Sequence, residues 1–159
     1  MNEAVTKRFL LYFRLMLLGW ILIANAFFHV IEFDYSWLVF LSNIMLFTME
    51  GDIKDRFLSV ELGGLVGMVL TVLAMLAIAA LTPVLGGLPG LLLPLAVVLF
   101  LLIILHPYAP KVLNNVGFAY LTVACIDAET FAANLPRFFF LYIVGSLVFN
   151  GVCILLMKP

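Results

Sequence analysis

Apolar and polar positions in this chain fall into blocks. Four predominantly apolar runs, Phe9–Ile31, Phe57–Leu81, Leu88–Leu105 and Phe138–Met157, each reach the roughly 17 to 25 residues that a helix needs to cross the hydrocarbon core of a bilayer. Polar, proline and glycine residues punctuate them where helices stop or start. Glu32 and Asp34 follow the first run; Thr82-Pro83 with Gly86, Gly87, Pro89 and Gly90 follows the second; His106-Pro107 with Pro110 ends the third; Asn134 and Pro136 open the last as N-cap and first-turn residues. Two further runs have the same character but are shorter. Ser36–Glu50 and Val112–Ile126 each give way to two acids one residue apart, Glu50 and Asp52 in one case, Asp127 and Glu129 in the other. About 14 helical residues extend only about 21 Å, so each short run is either a re-entrant half-helix or a crossing helix completed by its acidic flank.

Basic residues separate these alternatives, because Lys and Arg near span ends favour the cytoplasmic side. If both short runs cross, Lys7, Arg8, Arg14, Lys54, Arg56, Lys111 and Lys158 share one side with both termini, and Arg137 alone lies opposite. If both turn back, the basic residues divide equally between the two faces. The pattern therefore predicts an all-α, polytopic membrane protein of six spans, the second and fifth short, with both termini cytoplasmic. Span lengths then run long, short, long in each half. Three spans per half invert the second half relative to the first, which predicts two inverted three-helix repeats, residues 1–82 and 83–159, in one membrane domain. Glu50-Gly51-Asp52 is echoed by Asp127-Ala128-Glu129, and Gly63-Gly64-x-x-Gly67 by Gly145. The competing reading is six unrelated spans whose lengths alternate.

Composition agrees with this class. The chain is 66% hydrophobic and 11% charged, whereas charged residues alone supply about a quarter of a soluble domain. A net charge of −1 without a polybasic tract gives no reason to expect nucleic acid. The apolar run after Lys7-Arg8 lacks an A-x-A cleavage pattern, so it is expected to be a retained first helix. Cys125 and Cys153 lie inside apolar segments, where small buried hydrophobes are expected rather than a disulfide or a metal site.

Polar residues at membrane depth are costly and therefore candidates for function. Asn43 in the first short run, and Asn114 and Asn115 beside Gly117 in the second, are the leading pore-lining or substrate-binding candidates, with interhelical hydrogen bonding as their structural alternative. Thr48, Thr122 and Asn150 join that set, although a Thr more often bonds its own backbone. Candidate gate or coupling groups are Glu61, next to the glycine pair Gly63-Gly64; His29, which shares a face with Asn25 and Glu32; and Glu50. Gly63-x-x-x-Gly67 permits close helix packing, whereas Gly86-x-x-x-Gly90 is expected to lie in a linker. No H-E-x-x-H, Gly-rich loop leading into a Lys, G-x-S-x-G or zinc-spaced Cys/His set occurs. An enzyme, a cofactor or a bound metal is therefore not expected; a membrane-embedded enzyme would have only Glu61, His29 and His106 as acid–base groups.

Trp37-Leu38-x-Phe40-Leu41, the turn with Gly51 and Lys54, the Gly63/Gly64/Gly67 helix, and Asn115–Thr122 before the Leu135-Pro136 helix start give the chain a further likeness. It resembles a family of small bacterial inner-membrane proteins known only as a domain of unknown function, which implies an inner-membrane location and no mechanism. The reading that follows is a channel or facilitative transporter for a small polar solute, its site at the midplane between the two short helices. Its partners would be the lipid bilayer and a second copy, most simply in a dimer. The alternative is an accessory or assembly subunit that works through its glycine-marked helix face.

Overall fold

A computed structural model describes residues 3–33 and 35–157, so Asp34 and Lys158 lie outside the described residues, as does the side chain of Lys7. The described residues form seven α-helices: α1 (Glu3–Val30), α2 (Trp37–Thr48), α3 (Ile53–Leu85), α4 (Gly87–Ile104), α5 (Asn115–Ile126), α6 (Ala128–Ala133) and α7 (Leu135–Leu156). A 3-10 turn at His106–Tyr108 follows α4, and α7 widens into a π-turn at Tyr142–Ser146. Helices α1, α3, α4 and α7 are long and apolar enough to cross a membrane. The short runs condense into α2 and α5, of 12 residues each.

Some boundaries differ from the sequence expectation. Pro83 does not end α3, which runs on to Leu85; the chain reverses at Gly86, whose φ of 84° suits only glycine without strain. The expected linker thus shrinks to one residue. Gly90 belongs to α4, and a Cβ there would lie 2.5 Å from the Thr82 Cα, so Gly90 serves close packing of α4 on α3. The small helix α6 arises because Asp127 accepts a bond from the Thr130 amide at 3.2 Å, an N-cap that restarts the helix after α5. Asn134 precedes α7 as expected, but its side chain donates back to the Thr130 carbonyl at 3.0 Å.

Both short helices have their ends tied to α3. Arg56 Nη1 donates to the Leu46 and Met49 carbonyls, each at 3.3 Å, and so satisfies orphan acceptors at the end of α2. Asn114 caps α5 by accepting from the Val116 and Gly117 amides at 3.0 and 3.2 Å. The same side chain donates to the Ser59 carbonyl of α3 at 3.0 Å and to the Pro110 carbonyl at 3.1 Å.

Packing crosses between the halves of the chain. α3 lies mainly against α4 and α5, while α7 lies against α2 and α1. Gly67 of α3 meets Gly117 of α5 backbone to backbone, and Gly145 of α7 meets Val39 of α2. The same number of positions separates Gly67 from Gly145 as separates Val39 from Gly117. Beside these contacts lie two apolar clusters. Val98 and Leu102 of α4 pack with Leu70 and Ala74 of α3; Trp20 and Ala24 of α1 pack with Phe149 and Cys153 of α7. At one end of the bundle Lys111 and Asp55 form an exposed ion pair of 2.6 Å. At the other, Phe28, Phe33, Tyr35, Trp37, Phe131 and Phe138 form a continuous aromatic cluster, and Arg137 lies 5.4 Å from the Phe33 ring centroid. The outer faces of α1 and α4 expose Leu22, Ile23, Phe27, Val97, Phe100 and Ile103, the surface expected where lipid tails replace water.

Candidate functional site

Polar side chains inside the bundle converge where α2, α3 and α7 meet. Tyr142, Ser146, Asn150 and Cys153 recur about one turn apart along α7 and are all buried. Ser42 and Asn43 of α2 and Glu61 of α3 face that stripe. Asn150 is the hub: its Nδ2 donates to Ser42 Oγ at 3.0 Å and to Glu61 Oε1 at 3.1 Å, while its Oδ1 accepts from Asn43 Nδ2 at 3.2 Å. Asn43 Nδ2 also donates to Cys153 Sγ at 3.2 Å. Ser146 Oγ lies 2.5 Å from Glu61 Oε2 and 2.5 Å from the Tyr142 carbonyl oxygen. Ser42 Oγ donates to the Val39 carbonyl at 2.7 Å.

Two tyrosines close the base of this cluster. Tyr142 donates its hydroxyl to the Val60 carbonyl at 2.8 Å and reaches the Glu61 carbonyl at 3.2 Å, while Tyr120 of α5 donates to the Leu38 carbonyl of α2. The two rings meet edge to face, 4.8 Å between centroids. Gly64 makes room for them, since a Cβ there would overlap the Tyr142 hydroxyl and crowd Tyr120. Glu61 stands about 12 Å along α3 from its start, in its third turn. Among the described residues Lys111–Asp55 is the ion pair, and no Lys, Arg or His pairs with Glu61. An acid at this depth held only by a hydroxyl and an amide is the kind of group that marks ion and solute paths in membranes.

The sequence candidates divide into two groups. Asn43, Asn150 and Glu61 are brought together. Asn114 is not among them: two of its hydrogen-bonding positions cap α5 and the other two donate to the Ser59 carbonyl of α3 and the Pro110 carbonyl. Asn115 is exposed and lines a recess of about 270 Å³ with His106 and Phe118. Thr48 and Thr122 are exposed and donate to the Met45 and Phe118 carbonyls of their own helices. His29 joins Asn25, Glu32, Phe33 and Ser36 around a polar recess of about 420 Å³ at the aromatic end. Glu50 is exposed in the α2–α3 connection. His106 bonds the Leu113 carbonyl at 2.5 Å and holds the turn after α4. A smaller apolar cavity of about 190 Å³ lies between Tyr35, Trp37, Ala124, Phe131 and Phe138.

Ser42, Ser146 and Tyr142 are not among the sequence candidates. The helical spacing Tyr142, Ser146, Asn150 held the signal, since polar groups one turn apart on an otherwise apolar helix mark one face. No protein-family model, curated protein or solved structure matches this chain. The function therefore rests on the site itself: a half-buried carboxyl with two buried amides and two buried hydroxyls, joined by hydrogen bonds.

Proposed function

We propose that this chain is a facilitative transporter for a small polar solute, with its site at the α2–α3–α7 junction. The observation that carries this reading is the connected polar cluster of Ser42, Asn43, Glu61, Ser146 and Asn150 inside an otherwise apolar bundle. Groups of this kind inside a membrane bundle face its interior or a solute path rather than lipid.

The proposed architecture is six spans in two inverted repeats. Crossed packing supports it: the third helix of each half lies on the first two of the other, with Gly67 against Gly117 and Gly145 against Val39 at one constant sequence interval. Helices of 12 residues rise about 18 Å, so α2 and α5 would cross with the help of their connections. They would shorten the path that a solute must cover, as broken helices do in transporters. The end carrying Asp55, Arg56 and Lys111 would be cytoplasmic and the aromatic end external, in a bacterial inner membrane and as a dimer.

An assembly subunit is the weaker reading, because the Gly63–Gly67 face it would offer to a partner is already occupied within the chain by Asn114 and Gly117. Reconstituted protein should carry at least one member of a panel of ions and small neutral solutes faster than empty vesicles, and Asn150→Leu should abolish that flux. Absence of flux across the whole panel would sink the transport reading.

A further inference from the structure

We infer that Glu61 carries a proton in this packing and is a proton-binding site whose occupancy controls the π-turn of α7. The argument counts hydrogens. A serine hydroxyl has one proton to donate. Ser146 Oγ stands 2.5 Å from two oxygens, Glu61 Oε2 and the Tyr142 carbonyl. A carbonyl oxygen donates nothing, and neither does an ionised carboxylate. With Glu61 ionised, one of the two contacts would press oxygen lone pairs together with no hydrogen between them. With Glu61 neutral both contacts are satisfied: Glu61 Oε2–H donates to Ser146 Oγ, and Ser146 Oγ–H donates to the Tyr142 carbonyl.

The remaining partners leave no other source for that hydrogen. Both Asn150 Nδ2 protons are used, on Glu61 Oε1 and Ser42 Oγ, and the Ser42 proton is used on the Val39 carbonyl. Both Asn43 Nδ2 protons go to Asn150 Oδ1 and Cys153 Sγ. Among the described residues the titratable groups that face the cluster are Tyr142 and Cys153 of α7 and Tyr120 of α5; α2 and α4 contain no charged residue, Arg14 of α1 is exposed, and Arg56 of α3 is spent on the Leu46 and Met49 carbonyls. None supplies a positive charge to balance an ionised Glu61, so the proton is what neutralises it here.

Loss of the proton has a defined local consequence. Ser146 must turn its single hydrogen from the Tyr142 carbonyl to the carboxylate. That carbonyl opens the π-turn Tyr142–Ser146, so releasing it alters the one irregular turn of α7, and π-turns are places where helices rearrange at functional sites. A proton leaving Glu61 is thereby coupled to a change in the helix that carries Asn150. The inference goes beyond the transport reading and stands without it.

Infrared difference spectroscopy of the full chain in lipid nanodiscs at neutral pH tests it, with isotope-labelled glutamate. Wild-type protein should show the carbonyl stretch of a protonated carboxyl that shifts in heavy water, and Glu61→Gln should lose that band. Glutamine can donate to Ser146 and accept from Asn150 as the neutral acid does, so Glu61→Gln should fold. Its melting temperature should fall less than that of the wild type towards alkaline pH. Ser146→Ala keeps the carboxyl and should shift the band, which covers the case of a Gln variant that does not fold. A wild-type spectrum in which Glu61 contributes only carboxylate bands, or a protonated band indifferent to Ser146→Ala, would overturn the assignment.

Discussion

The two packing seams of this bundle have the same geometry and different contents. On the α3–α4–α5 side, Gly67 meets Gly117, Val98 and Leu102 pack on Leu70 and Ala74, and the amide Asn114 is fully used on backbone groups of α5, α3 and the turn before α5. On the α1–α2–α7 side, Gly145 meets Val39 and Trp20 stacks on Phe149 at 5.6 Å. There, however, the seam also holds Ser42, Asn43 and Asn150, with Glu61 reaching in from α3. One seam is a dry structural joint. The other keeps a set of buried polar groups that only a complete apolar replacement of matching volume, never a single substitution, would exchange at little cost in stability. Both seams hold buried polar side chains, but Thr71 and Asn114 on the first side bond only backbone groups, whereas Ser42, Asn43, Asn150 and Glu61 on the second bond one another.

The largest effect should come from the dry seam. Gly67→Leu would drive a side chain into the Gly117 backbone, an overpacking error that costs roughly 3 kcal/mol. It should remove the monodisperse species on size-exclusion chromatography, while Gly151→Ala, where nothing lies near an added Cβ, should elute as wild type. Normal elution of Gly67→Leu would mean that α3 and α5 do not meet there. Next in size is Asn150→Leu, which strips the hub from Ser42, Asn43 and Glu61 and costs about 2 kcal/mol through unpaired groups. Reversible unfolding in detergent should register that loss, and flux in vesicles should vanish although the protein still folds. Retained flux would move the site away from α7.

Helix blocks were readable from sequence because each apolar run has a physical stop: an acid pair, a Pro/Gly turn or a capping amide. Pro83 does not mark the end of α3, because a proline near the C-terminal end of a long helix costs one hydrogen bond that the exposed last turns can spare. The site was readable residue by residue and not as a constellation. Asn43, Asn150 and Glu61 each stand out as polar groups in apolar surroundings, but they come from three helices. In a lipid-facing bundle the inner and outer faces are both apolar, so periodicity does not reveal which way a helix turns. Only the stripe Tyr142, Ser146, Asn150 identifies a face. The capping role of Asn114 is not legible from amide composition, which does not distinguish a solute ligand from an N-cap, although its position directly before α5, after Pro110, is where caps occur.

That distinction sets the third prediction. Asn114→Ala removes a cap and a tie to α3 and should cost about 1 kcal/mol in detergent unfolding. Vesicle flux measured on the folded fraction should remain at the wild-type rate, in contrast to Asn150→Leu. Loss of flux at unchanged stability would make the dry seam part of the path and erase the difference between the two interfaces.

The smallest effect belongs to the threonines. Thr48 and Thr122 are exposed, and each hydroxyl is occupied by a carbonyl of its own helix, so neither has a free group to offer a solute. Thr122→Val keeps the shape of the side chain and releases the Phe118 carbonyl, which α-helix geometry already supplies with a backbone donor. The change in unfolding free energy should stay within about 0.5 kcal/mol, and flux should match wild type. Thr48→Ala should behave the same way near the end of α2. A several-fold loss of flux in either variant would place a solute on the outer face of a short helix. The path would then run along the boundary of the subunit, most simply between two copies, and the buried cluster around Asn150 would be left with a structural role.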